Sequence, residues 1–128
     1  MTNQTRFTKT HEWVRLETDG TCAVGITNFA QAEIRDIVFI ELPKVGKETA
    51  QGAPIGSIES VKAAFEIYAP ISGKIAAVNE KAAQDVTLVH KDAEGQGWLF
   101  KIAPTNPKEL ESLLGSDEYK NLITAADY

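Results

Sequence analysis

Short runs of β-branched and aromatic residues, separated by glycine, proline and acidic turns, fill the chain from Trp13 to Ile102. Trp13-Val14-Arg15-Leu16 and Cys22-Ala23-Val24-Gly25-Ile26 flank Thr18-Asp19-Gly20-Thr21, which predicts a hairpin with an Asp-Gly turn. Asn28-Phe29-Ala30-Gln31 opens a short helix, with Asn28 as its cap and Gln31 at the capping-box position, ending near Asp36. Strand character resumes over 38–42 and stops at Pro43, then returns over 54–59, 65–69, 74–78 and 97–102. Strands this short, at regular spacing with turn signals between them, predict a small sandwich or barrel.

The last quarter changes period. Asn106 is placed to cap a helix, with Pro107 at its first position and Glu109 at its third. Leu110, Leu113 and Leu114 make an apolar stripe, and Gly115 is expected to end it. Ser116 can cap a second helix, with Asp117 and Glu118 at its positive end. Tyr119, Leu122, Ile123 and Ala126 then keep the spacing of one buried face. A helical segment over about 106–127 is therefore expected to pack on the β part. There is also an internal echo. Ile40-Glu41-Leu42-Pro43-Lys44-Val45-Gly46-Lys47 and Ile67-Tyr68-Ala69-Pro70-Ile71-Ser72-Gly73-Lys74 share Ile, Pro, Gly and Lys at one spacing. Two unrelated Pro-Gly turns would give this, and so would two similar half-sheets.

Composition narrows the class. The 128 residues suit one domain over 1–128, and 43% apolar with 24% charged residues is ordinary globular usage. The net charge of −5 opposes a nucleic-acid partner on average. No apolar run is long enough to span a bilayer, and Met1 leads into polar residues rather than a secretory signal. The lone Cys22, in an apolar strand, reads as an inert core thiol and points to a reducing compartment. His11 and His90 are the only histidines, and neither has a partner at metal-ligand spacing. Gly95-Gln96-Gly97 lacks a third glycine and precedes a strand, so it reads as a turn rather than a dinucleotide loop. No carboxylate pair stands out as an acid–base couple, and no catalytic or metal residue is assigned.

One segment is hard to explain by folding alone. Ile58-Glu59-Ser60-Val61-Lys62-Ala63-Ala64 joins two strand-like runs, yet lacks the Gly, Asn or Asp of a tight turn. It places Lys62, one of ten lysines, at the tip of a hairpin over about 54–70, among small residues that leave its amine open.

Glu59-Ser60-Val61-Lys62-Ala63 resembles the lipoyl-attachment motif of the glycine cleavage system H protein family. His11-Glu12-Trp13, Gly25-Ile26-Thr27, Asp36-Ile37-Val38, Glu41-Leu42-Pro43, Tyr68-Ala69-Pro70, Val78-Asn79-Glu80 and Gly97-Trp98-Leu99 resemble its other blocks in order, across nearly the whole chain. Biotin carriers usually set the lysine between methionines. Lipoyl domains of 2-oxoacid dehydrogenases usually place Asp before it and sit within longer chains. The resemblance implies a mainly β barrel-sandwich hybrid of lipoyl/biotinyl type, with a short internal helix and C-terminal helices. It implies a non-catalytic carrier with lipoate on Lys62 and Glu59, Ser60, Val61 and Ala63 as its recognition motif.

The implied partners are the pyridoxal-phosphate glycine decarboxylase (P protein), the tetrahydrofolate-dependent aminomethyltransferase (T protein), dihydrolipoamide dehydrogenase (L protein) and a lipoylating enzyme. The carrier would pass the aminomethyl group of glycine from the first to the second and be reoxidised by the third. Thr10, Glu12 and Glu66 are the candidates for sheltering the loaded arm, by pairing a carboxylate with its cationic amine. A monomer in the bacterial cytoplasm is expected, or in the mitochondrial matrix if a presequence has been removed. The chain departs from the family pattern at Arg35, where Gly is usual, at Val86-Thr87, at His90 and at Ala93-Glu94. These departures bear on partner fit, and they leave open a related carrier that relays lipoyl groups to other proteins.

Overall fold

A computed structural model describes residues 5–125 of the chain. Ala126 and the end of the expected 106–127 helical segment lie outside the described residues. Along the chain run β1 (Thr5–Phe7), β2 (Glu12–Leu16), β3 (Cys22–Ile26), α1 (Asn28–Ile34), β4 (Ile37–Glu41), β5 (Glu48–Thr49) and β6 (Pro54–Ser60). They are followed by β7 (Ala64–Tyr68), β8 (Gly73–Val78), α2 (Glu80–Gln84), α3 (Thr87–Asp92), β9 (Phe100–Pro104), a 3-10 helix (Pro107–Ser112) and α4 (Ser116–Ala125). The strands form two antiparallel sheets, in the orders β1-β2-β3-β9-β8-β5 and β4-β6-β7. The expected mainly β sandwich with short helices is the fold observed.

The sheets face each other across one apolar cluster. Val14, Val24 and Ile102 of the larger sheet share it with Ile40, Ile58 and Ile67 of the smaller one, and Val89 of α3 joins them. Each such side chain contributes about 1.5–3 kcal/mol on burial. β3 is buried on both sides, which explains its unbroken apolar run: Cys22, Val24 and Ile26 face the first cluster, while Ala23 joins Phe7, Trp13 and Tyr119 in a second one. Cys22 is fully buried and burial pushes its thiol up to about 11, so it is the inert core residue expected.

The echo between 40–47 and 67–74 has a structural counterpart. β4 and β7 flank β6 on its two sides, and each leads through a Pro and a Gly into a strand of the larger sheet. Those continuations pair with each other, as Glu48 with Lys74, extended by the Gly46 N–H to the Ile75 carbonyl at 2.8 Å. Two similar half-sheets around β6 is the reading this supports.

Several local expectations shift. The cap of α1 is Thr27, not Asn28: its buried hydroxyl accepts the Ala30 N–H at 3.1 Å. The Asn28 N–H instead goes to Glu94 Oε2 at 2.8 Å, and Gln31 meets His90 Nδ1 at 3.1 Å rather than closing a capping box. The last strand begins at Phe100, because Gly97 packs against the Leu88 and Asp92 carbonyls in a turn. Asn106 makes no side-chain cap, and the helix after it is a 3-10 turn that stops at Ser112. Gly115 precedes α4, giving its N–H to Glu118 Oε1 at 2.9 Å. β1, β5, α2 and α3 had no counterpart in the pattern; at two to six residues they are too short to show a period.

The residue closing α1 is unusual. Arg35 has φ 54° and ψ 163°, a region populated almost only by glycine, and Asp36 follows at φ 42°. Holding an arginine there costs on the order of 1–3 kcal/mol. Arg35→Gly should therefore stabilise the fold by about 1 kcal/mol, after allowing for glycine's extra freedom in the unfolded chain. Urea unfolding at constant m-value checks this, and a destabilised variant would contradict the strain.

Candidate functional site

β6 and β7 form a hairpin whose register pairs Ile58 with Phe65 and Glu59 with Ala64. Ser60 closes its turn from within. Its N–H meets the Ala63 carbonyl at 2.8 Å, and its Oγ accepts the Lys62 and Ala63 N–H groups at 3.3 and 3.2 Å. A serine thus does the work that Asn or Gly would do in a tighter turn. Lys62 is exposed at the tip, and Val61 beside it is 72% exposed. Glu59 is exposed and sits opposite Phe39 of β4. Of residues 59–63, Glu59 and Ser60 end β6, while Val61, Lys62 and Ala63 form the exposed tip that Ser60 closes.

A groove of about 600 Å³ follows β7 from Ala64, the residue after this loop, to Tyr68. One wall is α1, through Phe29, Ala30 and Ile34; the floor includes Ile26, Ile58 and Ile67. Its polar lining is Lys9, Thr10, His11, Glu12, Glu33 and Glu66, so all three arm-sheltering candidates meet in one groove. They differ in character. Glu66 is an exposed rim residue, paired in register with Ser57. Glu12 is only 2% exposed. Its Oε1 accepts the hydroxyls of Thr8 and Thr10, and its Oε2 accepts the Tyr68 N–H at 3.1 Å. Beyond Glu12 lies a second, mainly apolar cavity of about 440 Å³, lined by Phe7, Tyr68, Pro70 and Leu114 among others.

Sequence reasoning missed part of this site. His11 lies in the groove at φ 73°, and its Nδ1 is 2.7 Å from the Tyr119 hydroxyl, which is also 2.7 Å from Thr27 Oγ1. Burial lowers the His11 pKa against the opposing pull of Glu33. The C-terminal helix thereby reaches the groove wall, a link of 108 positions along the chain that no local pattern carries. Among the described residues no group of three or more His, Cys, Asp or Glu side chains could hold a metal ion. No helix in that range is long and apolar enough to cross a membrane.

The glycine cleavage H-protein family model matches residues 5–126. The chain belongs to this family. A glycine cleavage system H protein of Thermotoga maritima is 51% identical over 115 residues, covering 90% of this chain and 92% of the relative. One from Legionella pneumophila is 47% identical over 121 residues, covering 94% and 96%. The crystal structure of a glycine cleavage system H protein from Mycobacterium marinum superposes with a TM-score of 0.87 at 33% identity, covering 97% of this chain and 99% of that one. Three of the positions expected to depart from the family pattern, Arg35, His90 and Glu94, meet at α1. Arg35 ends it and His90 and Glu94 bond to it, while Thr87 donates its N–H to Asp85 Oδ1 at 3.2 Å at the start of the neighbouring α3.

Burial raises the Glu12 pKa more than its hydrogen bonds lower it. A raised carboxyl pKa favours the fold while the group is protonated, and that gain is lost as pH rises through the folded value. Glu12→Gln removes this titration. Its stability relative to the parent should be highest near neutral pH and should fall as pH drops through the range just above ordinary carboxylates. Paired chemical denaturation across pH 4–8 measures the difference; a difference that moves in the variant's favour on acidification would contradict the sign.

Proposed function

We propose that this protein is a lipoyl carrier of the glycine cleavage system, with lipoate joined to the Nζ of Lys62. The observation that carries this reading is a lysine exposed on the tip of a hairpin whose second strand lines a groove that ends on a buried carboxylate. The residues present fit the group. The groove follows β7 for about 13 Å at the usual rise of a strand, and its walls are mainly apolar, as an alkyl arm requires. When bound, lipoate supplies a disulfide that opens to carry a one-carbon amine on sulfur and closes again on reoxidation.

The chain's own part is to present, shelter and release. Ser60 holds the turn so that Lys62 faces outward. Phe29, Ile34 and Ile58 exclude water along the groove. Glu12, oriented by Thr8, Thr10 and the Tyr68 N–H, can accept a charge-assisted hydrogen bond from a carried ammonium, and Glu66 adds a second negative charge at the rim. The chain then needs no catalytic residue: the decarboxylase, the aminomethyltransferase and dihydrolipoamide dehydrogenase would do the chemistry, after a lipoylating enzyme has modified Lys62. Weak encounters suit a surface with net charge −5, which is steered by its field. Bacterial relatives fit a cytoplasmic setting.

Peptide mapping of protein from its native cells should find one lipoyl group, on Lys62; lipoate on another lysine with Lys62 free refutes the assignment. Lys62→Arg should change stability by no more than about 0.5 kcal/mol and abolish carbon transfer. Glu12→Gln and Glu66→Gln, once loaded, should release ammonia faster than the parent in the absence of the transferase. The larger effect is expected at Glu12, which is buried. Wild-type release rates in both variants would remove these carboxylates from the sheltering role.

A further inference from the structure

The turn inside 60–63 shapes the tip but does not aim it. Its bonds run among Ser60, Lys62 and Ala63, all within the hairpin. Between the tip and the end of α1 lies a polar cavity of about 270 Å³, lined by Glu33–Asp36 and Ser60–Lys62, so apolar packing does not seat the tip there. Past the last paired residue of β6, a hydrogen bond crosses from the tip to the body, from the Val61 N–H to the Asp36 carbonyl at 3.2 Å. It extends the ladder that pairs Ile37 with Ser60, just before that ladder shifts register between Ile37 and Phe39. The acceptor carbonyl belongs to the second of two successive L-residues at positive φ, Arg35 and Asp36.

That backbone cannot relax by moving the helix. The Arg35 N–H bonds to the Gln31 carbonyl at 3.0 Å and its Nε to the Ala32 carbonyl at 3.1 Å. Upstream, Glu94 and His90 clamp Asn28 and Gln31. The strain is thus maintained from α3 and its following loop, through α1, at the point where the tip is held.

We infer that Arg35 and Asp36 are positioning residues for the modification of Lys62: their left-handed backbone holds the Asp36 carbonyl against Val61 and so aims the lysine at the lipoylating enzyme. The inference rests on Lys62 being the acceptor. In that step the Nζ attacks the carbonyl of an activated lipoyl donor. An N–C amide bond forms, the bond from carbonyl carbon to the activating group breaks, and the amine gives up a proton. Rate then depends on how closely the bound amine approaches a near-attack geometry, where a misplacement of one ångström costs up to roughly 100-fold. A tip released from Asp36 keeps every residue the enzyme recognises and loses only its aim.

The test compares Arg35→Gly, which takes up this backbone freely, with Arg35→Val, whose β-branched side chain opposes it. Each full-length variant is followed by amide hydrogen exchange at Val61, thermal unfolding, and lipoylation kinetics with a purified lipoylating enzyme. Parent and Arg35→Gly should show a protected Val61 amide and equal kcat and KM. Arg35→Val should lose that protection, and kcat for the folded protein should fall about 10- to 100-fold with KM little changed. Arg35→Ala, under milder strain, replaces Arg35→Val if the latter fails to fold. A purely structural role would lower the melting temperature and leave the kinetics of folded protein unchanged. The inference is overturned if the parent's Val61 amide exchanges as in an open chain. It is also overturned if Arg35→Val or Arg35→Ala keeps its protection or its kcat, or if Arg35→Gly is as slow as they are. A parent modified only on another lysine would instead overturn the assignment of Lys62, while the exchange data would still report on the Asp36–Val61 bond.

Discussion

Glu12 stands on β2 of the larger sheet, yet its Oε2 accepts the N–H of Tyr68, at the end of β7 in the smaller sheet. That bond joins the two layers at the point where the groove ends. Its setting explains why the carboxylate persists in so dry a place: two threonine hydroxyls and one backbone N–H replace water around it. Burial still raises its pKa, so the site carries a free-energy cost within the fold. An apolar side chain there would leave the Tyr68 N–H without its partner and take a negative charge from the groove.

The smaller sheet is the other half of the arrangement. Ile58 and Ile67 anchor the β6–β7 hairpin into the shared core, and α1 closes over one side of it. Phe7, Trp13 and Tyr119 anchor α4 to the outer face of the larger sheet, where Phe7 and Tyr119 stack with ring centroids 4.7 Å apart. From there the Tyr119 hydroxyl reaches His11 and Thr27, so the C-terminal helix supports the groove wall from behind. The groove is therefore supported by elements drawn from both ends of the chain.

Arg35, His90 and Glu94, three of the positions expected to differ from the family pattern, gather on α1 and its clamps rather than on the lysine motif. Glu94 takes over an N–H at the start of the helix, His90 meets Gln31, and Arg35 accepts a conformation suited to glycine. Substitutions that share one helix are energetically coupled, since each changes how far the others can relax. The strain at Arg35 is compatible with the fold because neighbouring bonds restrain the helix that carries it.

The strands with strong alternation or unbroken apolar runs were legible from sequence, as were the Asp-Gly hairpin, the buried Cys22 and the acidic start of α4, because each depends on neighbours close along the chain. The lysine loop stood out for a related reason: a hairpin connection without turn residues called for an explanation, and Ser60 supplies it by closing the turn. Other features depended on residues far apart. The exchange of Thr27 for Asn28 as cap followed from the burial of Thr27 beneath Tyr119, and the late start of β9 from the packing of Gly97 on α3. The burial of Glu12, the exposed position of Glu66 and the place of His11 in the groove wall were equally out of reach, since a carboxylate or imidazole reads the same in sequence whether wet or dry. What the sequence determined by itself was most of the longer strands, the helices α1 and α4, and the residue offered at the hairpin tip. The tertiary structure alone decided how those elements enclose a groove and what holds the tip in place, because those properties arise where distant segments meet.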